Sequence, residues 1–87
     1  MSNPDVLVYY APFCPYCTWA RQLLESKGVG YTLINVNEDA AHRQEMEERS
    51  QRNTVPQIFI GDHHVGGYDD LSALEQQGDL DRLLVAS

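Results

Sequence analysis

Nowhere among these 87 residues does an apolar run approach the roughly 20 needed to cross a bilayer; the longest is of the order of Val6-Leu7-Val8-Tyr9-Tyr10-Ala11. A membrane-spanning helix is therefore not expected. The opening residues Met1-Ser2-Asn3-Pro4-Asp5 lack the basic segment and apolar stretch of a secretory signal, so the expected location is the cytoplasm. Positive charge is scarce too. Six basic against thirteen acidic residues give a formal charge of -7, a field that disfavours nucleic acid and anionic membrane surfaces as partners. An anionic substrate would need cations placed locally to bind. Cysteine is limited to Cys14 and Cys17. A structural disulfide across so short a loop would constrain the unfolded chain little, and disulfide-dependent secreted domains carry several spaced bridges. The pair reads as chemistry rather than scaffolding. Repeats and low-complexity segments are absent.

With 43% hydrophobic and 22% charged residues, the composition is that of a soluble globular protein, and the length suits one core and one domain over residues 1–87. Val6 to Tyr10 is a β-branched and aromatic run, too continuously apolar for a one-sided strand, and reads as a buried central strand. From Pro15, the spacing of Ala20, Leu23, Leu24 and Lys27 predicts a helix to about Lys27, stopped by Gly28. Tyr31 to Val36 reads as a second strand. Asn37 reads as the cap of a helix from about Asp39 to Ser50, whose apolar stripe is weak. Gln57 to Ile60, the turn Gly61-Asp62 and His63 to Val65 form a hairpin. Leu71, Leu74 and Glu75 start a helix after the Gly66-Gly67 break, and Leu80, Leu83 and Leu84 suggest a last helical turn. This order predicts an α/β, thioredoxin-like fold: a mixed four-stranded sheet, a parallel pair plus an antiparallel hairpin, flanked by helices.

The cysteines fall at the start of the first helix, where unpaired N–H groups and the positive end of the helix dipole stabilise a thiolate. As the cap residue, Cys14 could accept from the N–H groups of Tyr16 and Cys17, and Pro15 costs nothing where its missing N–H would be orphaned anyway. Cys17, one turn further in, suits a resolving thiol. A zinc half-site fits a C-x-x-C pair equally well on spacing alone. Against it, the chain has no second such pair, and His63 and His64 are adjacent rather than at ligand spacing. No metal and no resident cofactor are expected.

Two distant segments carry further signals. Pro56 in Thr54-Val55-Pro56 could be a plain strand-entry proline. In a cis conformation it would instead turn the Val55 backbone toward the cysteines and offer it to an extended peptide. In Gly66-Gly67-Tyr68-Asp69-Asp70 the glycines permit close backbone approach, and Asp69 and Asp70 open a helix. That end could hold the carboxylate and ammonium of an α-amino acid group, or either aspartate could merely cap its own helix.

Together, Cys14-Pro15-Tyr16-Cys17, Thr54-Val55-Pro56-Gln57 and Gly66-Gly67-Tyr68-Asp69-Asp70-Leu71 closely resemble the glutaredoxins, most of all their bacterial dithiol class, in order and spacing over nearly the whole chain. The resemblance implies reduction of protein disulfides and glutathione mixed disulfides by a monomer, with glutathione as co-substrate. It implies that Cys14 and Cys17 are catalytic and that Tyr16, Thr54, Val55, Pro56, Gly67, Asp69 and Asp70 line a glutathione groove. Arg43 lines up with a family position that meets the glycine carboxylate, and Arg52 is a second candidate cation. Two alternatives belong beside this reading. A redoxin served by thioredoxin reductase would lack the Gly-Gly-x-x-Asp end kept here, and relatives that carry an iron-sulfur cluster tend to have Gly or Ser where Pro15 stands.

One position departs from the family. Glutaredoxins commonly carry a lysine three residues before the nucleophile, where this chain has Ala11, and Lys27 is its only lysine. Ala11→Lys is therefore expected to raise the thiolate fraction of Cys14 in a thiolate titration; an unchanged or lowered fraction would count against a missing charge at this site.

Overall fold

The computed structural model describes residues 4–85. Along them run β1 Val6–Tyr10, α1 Pro15–Ser26, β2 Thr32–Asn35, α2 Ala40–Ser50, β3 Gln57–Ile60, β4 His63–Gly66, α3 Tyr68–Gln77 and α4 Leu80–Leu84. The sheet order is β2-β1-β3-β4. β1 pairs parallel to β2 and antiparallel to β3, and β3 pairs antiparallel to β4. This is the expected mixed sheet, with β1 in its interior. The interior place explains why β1 is apolar along its length: both of its faces are covered.

Side chains alternate between those faces. Val6 and Val8 of β1 join Ile58 and Ile60 of β3 in a core with Ala20 and Leu24 of α1, Leu71 of α3, and Leu80 and Leu84 of α4. Tyr9 and Phe59, at the intervening positions, pack with Val36 and with Met46 of α2. The second core is the smaller. α2 supplements it with charge: the Arg49 guanidinium lies 4.3 Å from the Phe59 ring centroid and donates to the Tyr9 hydroxyl at 3.0 Å, and that hydroxyl also donates to Glu45. A helix with few apolar residues is thus held by one deep methionine and a cation–π contact.

The helix ends differ from expectation in two places. α2 is capped by Asp39, whose Oδ1 accepts from the Ala41 N–H at 2.9 Å, and not by Asn37. Asn37 lies too far ahead of Ala40 to serve its free N–H groups; its own N–H instead donates to Asn35 Oδ1. α3 begins at Tyr68, before the leucines that signalled it, because Asp70 closes the first turn back onto Gly67. At the far end of α1, Lys27 Nζ bridges Glu75 at 2.6 Å and Asp81 at 3.1 Å, tying α1 to α3 and α4.

Met46 is fully buried at the centre of the smaller core. Met46→Ala should cost about 3 kcal/mol, because few neighbours can move in to fill the space. Urea unfolding should show a lowered midpoint with an unchanged slope; a loss well under 1 kcal/mol would mean that α2 is held mainly by its charged contacts.

Candidate active site

β1 ends at Tyr10, and four residues carry the chain to the start of α1. Pro12 and Pro15 have their own φ fixed by the ring, so the reversal falls largely on Phe13, which adopts a left-handed φ of 61°. For an aromatic residue this costs about 1–2 kcal/mol. The Phe13 side chain is fully exposed, so its own packing does not offset that cost. The turn leaves Cys14 at the N-cap of α1 in an extended conformation, with Pro15 in the first helical turn. Cys14 Sγ accepts from the Cys17 N–H at 3.2 Å, so of the two donors expected, Cys17 is the one that caps the sulfur.

The two thiols differ sharply in environment. Cys14 is half-buried, whereas Cys17 is only 2% exposed. Burial, and then its hydrogen bond with Cys14, push the Cys17 thiol up to about 12. A neutral inner thiol beside a partly accessible outer one is an asymmetric pair suited to sequential thiol–disulfide exchange.

The Val55-Pro56 peptide bond is cis, and the Val55 carbonyl oxygen stands 4.0 Å from Cys14 Sγ. Beside it opens a cleft of about 210 Å³ into which Tyr16, Thr54, Val55, Pro56, Gly67, Asp69 and Asp70 all contribute, together with Arg52 and Tyr68. Three segments far apart in sequence therefore meet next to one sulfur. Arg43 is not part of this lining. It borders a separate depression with Asn37, Ala40 and Glu47, where its guanidinium donates to the Asn53 carbonyl and to Asn37 Oδ1, both at 3.3 Å. Arg52 is the cation of the cleft.

Part of the cleft lining is a tight charge arrangement. Asp70 Oδ2 accepts from the Gly67 N–H at 3.0 Å and from Arg52 Nη1 at 3.0 Å. The Gly67 hydrogen bond, and then Arg52, hold the Asp70 carboxyl below the usual carboxylate range. The helix-capping and ligand-facing readings of Asp70 are therefore not exclusive, since one carboxylate caps α3 and fixes Arg52. Gly66 makes room for it. At a φ of 114°, a Cβ on Gly66 would stand 2.3 Å from Asp70 Oδ2 and 3.1 Å from Arg52 Nη1, so any other residue would displace the pair. Asp69 is exposed and free of this arrangement.

Sequence reasoning missed Tyr68 and Trp19. Tyr68 lay inside a motif read for its glycines and aspartates, and Trp19 lies three residues after Tyr16, on the same helix face. The rings form one cluster on the rim: Tyr16 meets Trp19 edge-on at 5.2 Å, and Trp19 lies 5.8 Å from Tyr68. Among the described residues, no group of three or more His, Cys, Asp or Glu side chains stands close enough to hold a metal ion.

A family model described as Glutaredoxin matches residues 6–65. Glutaredoxin 3 of Escherichia coli strain K12 is 51% identical over 80 residues, spanning 92% of this chain and 96% of that protein. Among solved structures, glutaredoxin from Brucella melitensis superposes with a TM-score of 0.86 at 53% identity, covering 98% of this chain and 92% of that one. A buckwheat glutaredoxin–glutathione complex superposes with a TM-score of 0.85 at 28% identity, covering 94% of this chain and 76% of that one. Likeness of this degree over nearly the whole chain means that it belongs to the glutaredoxin family and is a glutathione-dependent thiol–disulfide oxidoreductase.

Proposed function

We propose that the cleft beside Cys14 seats the glutathionyl half of a mixed disulfide, and that Cys14 is the nucleophile and Cys17 the resolving thiol. The observation that carries this reading is the Cys14 sulfur capping α1 while standing 4.0 Å from the carbonyl oxygen of Val55, a residue that lines the cleft. Glutathione needs backbone partners for its cysteinyl unit and charges of both signs for its ends. Val55 offers the first, on the strand-addition pattern. Gly67 and the N-terminus of α3, with Asp69 and Asp70, suit the α-amino acid end of the γ-glutamyl unit, and Arg52 suits a carboxylate. Tyr16, Thr54 and Pro56 complete the walls. Arg43, bound to Asn53 next to Thr54, stands outside the lining as a second cation toward that end.

In this reading the Cys14 thiolate attacks the glutathione sulfur, a new S–S bond forms, and the protein thiolate leaves and takes up a proton. A second glutathione thiolate then attacks the bound glutathione sulfur, releasing glutathione disulfide and the Cys14 thiolate. With a protein disulfide, Cys14 joins the substrate first. Cys17, on losing its proton, attacks Cys14 Sγ to release the reduced substrate and leave a Cys14–Cys17 disulfide, which two glutathiones reduce. Burial keeps Cys17 protonated at neutral pH, so it does not compete with Cys14 for the first attack. We place this activity in the cytoplasm, in a monomer of one domain, with glutathionylated and disulfide-bearing proteins as partners.

Coupled turnover of a small glutathione mixed disulfide with glutathione and glutathione reductase tests the assignment of roles. Cys14→Ser should fall to background. Cys17→Ser should keep that activity and lose reduction of a protein disulfide. A Cys14→Ser protein that still turns over would overturn the scheme.

Asp70→Asn should raise KM for the same substrate about tenfold, the loss expected for a charged hydrogen-bonding group. The pH dependence has a definite sign. A carboxyl held below its unfolded value adds stability that is fully present above the ordinary carboxylate range and is lost as pH falls below that range through its own lowered pKa. The stability gap between the native chain and Asp70→Asn should therefore be constant near neutrality and narrow in acid; chemical unfolding at a series of pH values measures it.

A further inference from the structure

Gln57, the first residue of β3, is a fully buried amide. Such a group costs stability unless every polar atom is partnered, and here each one is. Its Nε2 donates to the Thr54 carbonyl at 3.1 Å and to Thr54 Oγ1 at 3.2 Å, and its Oε1 lies 2.8 Å from His64 Nε2. These contacts fix the chemistry. The Thr54 carbonyl can only accept, so the amide nitrogen must face Thr54 and the amide oxygen must face His64. His64 Nε2 must then carry the proton. The Thr54 hydroxyl, used as an acceptor by Gln57, keeps its own hydrogen for another partner, and Thr54 lines the cleft.

The imidazole is positioned by packing as well as by its hydrogen bond. His64 pairs with Phe59 across β3 and β4, and the two rings stack at 4.8 Å with planes 27° apart. The Phe59 ring also carries Arg49, so the stack is anchored to α2. Burial, and then the nearby Arg52, lower the His64 pKa, while Asp70 opposes them and His63 and Arg49 add to the lowering. The ring is neutral at neutral pH, and a neutral ring donating from Nε2 is the Nε2–H tautomer.

From this geometry we infer that His64 is a positioning residue for the disulfide substrate, acting through the Gln57 amide to set Thr54 and, with it, the adjoining Val55 and Pro56 walls of the cleft. The His64 side chain makes its hydrogen bond to Gln57 and not to a cysteine. Its effect reaches the reaction through two hydrogen-bonded links, from the edge strand β4 to the loop that faces Cys14. The inference rests on the reading of the cleft as the glutathione site.

The test uses the native chain and two variants. His64→Phe keeps a ring against Phe59 and removes the donor, while His64→Gln returns an N–H close to the lost Nε2 position. With glutathione and the mixed disulfide of glutathione and 2-mercaptoethanol, His64→Phe should raise KM about fivefold, as for loss of one buried hydrogen bond, and leave kcat within about twofold. His64→Gln should recover most of the loss. An unchanged KM in His64→Phe, or equal impairment of both variants, would overturn the inference. Nitrogen-15 NMR of the native imidazole gives a second measurement that needs no variant: the Nε2–H tautomer is expected, and the Nδ1–H tautomer would overturn the relay. Absence of turnover by the native chain would overturn the cleft reading instead, and the tautomer would still decide whether His64 holds Gln57.

Discussion

A sulfur used as a helix cap is the constraint on which the site depends. Cap positions ordinarily take Ser, Thr, Asp or Asn, whose oxygen accepts from the free N–H groups of the first turn. At α1 that acceptor is Cys14 Sγ, taking the Cys17 N–H at 3.2 Å. The same geometry ties the two thiols to one turn of helix and separates their environments, with one half-buried beside the Val55 carbonyl and the other buried. It also requires α1 to start a short, fixed turn after β1 stops. The interior strand supplies that fixed point, because β1 is paired on both edges and covered on both faces.

Charge is distributed around this constraint in an uneven way. The lone lysine is spent at the opposite end of α1, where it bridges Glu75 and Asp81. Near the nucleophile stands Ala11, so the first turn of α1 works without a neighbouring lysine. Among the described residues the one cation lining the cleft is Arg52, and Asp70 already holds it. Among nine lining residues, then, a single ion pair organises the polar side, and its strength is moderated because both partners are about half exposed. An arriving carboxylate would meet a guanidinium that Asp70 orients and that still has N–H donors to give.

Much of this was legible in the sequence, for reasons that differ by element. β1 and β3 were clear because continuous apolar runs of that length fit interior strands. The cysteines and the two motif segments were clear because Pro and Gly restrict the backbone in ways few other residues do. The start of α2 was not, since Asn37 and Asp39 are both good caps and only the backbone path selects between them. Arg43 was the cation that the family resemblance favoured, with Arg52 as a second candidate, yet it is Arg52 that lines the cleft. Long side chains reach many places, and their destination depends on partners such as the Asn53 carbonyl and Asp70, which come from other segments. The aromatic rim escaped notice because Tyr68 belongs to α3 and Trp19 to α1, and sequence spacing carries no information about contacts between them.

The link from His64 through Gln57 to Thr54 shows why such features hide. Read alone, Gln57 is a polar residue opening an apolar strand, and a histidine pair after a turn suggests a hairpin end. Only burial turns them into a unit. A buried amide must have both ends satisfied, and the two ends here lie in different parts of the chain, seven residues and three residues away. Once Thr54 claims the amide nitrogen, the tautomer of His64 follows, because no other arrangement partners every atom. The same requirement makes the link directional. A change at β4 can propagate to Val55 without disturbing the apolar side of β3, because Ile58 and Ile60 pack into the opposite face of the sheet. The sheet thus separates two tasks: one face holds the helix that presents the thiols, and polar contacts at the edge of the other hold the loop that faces them.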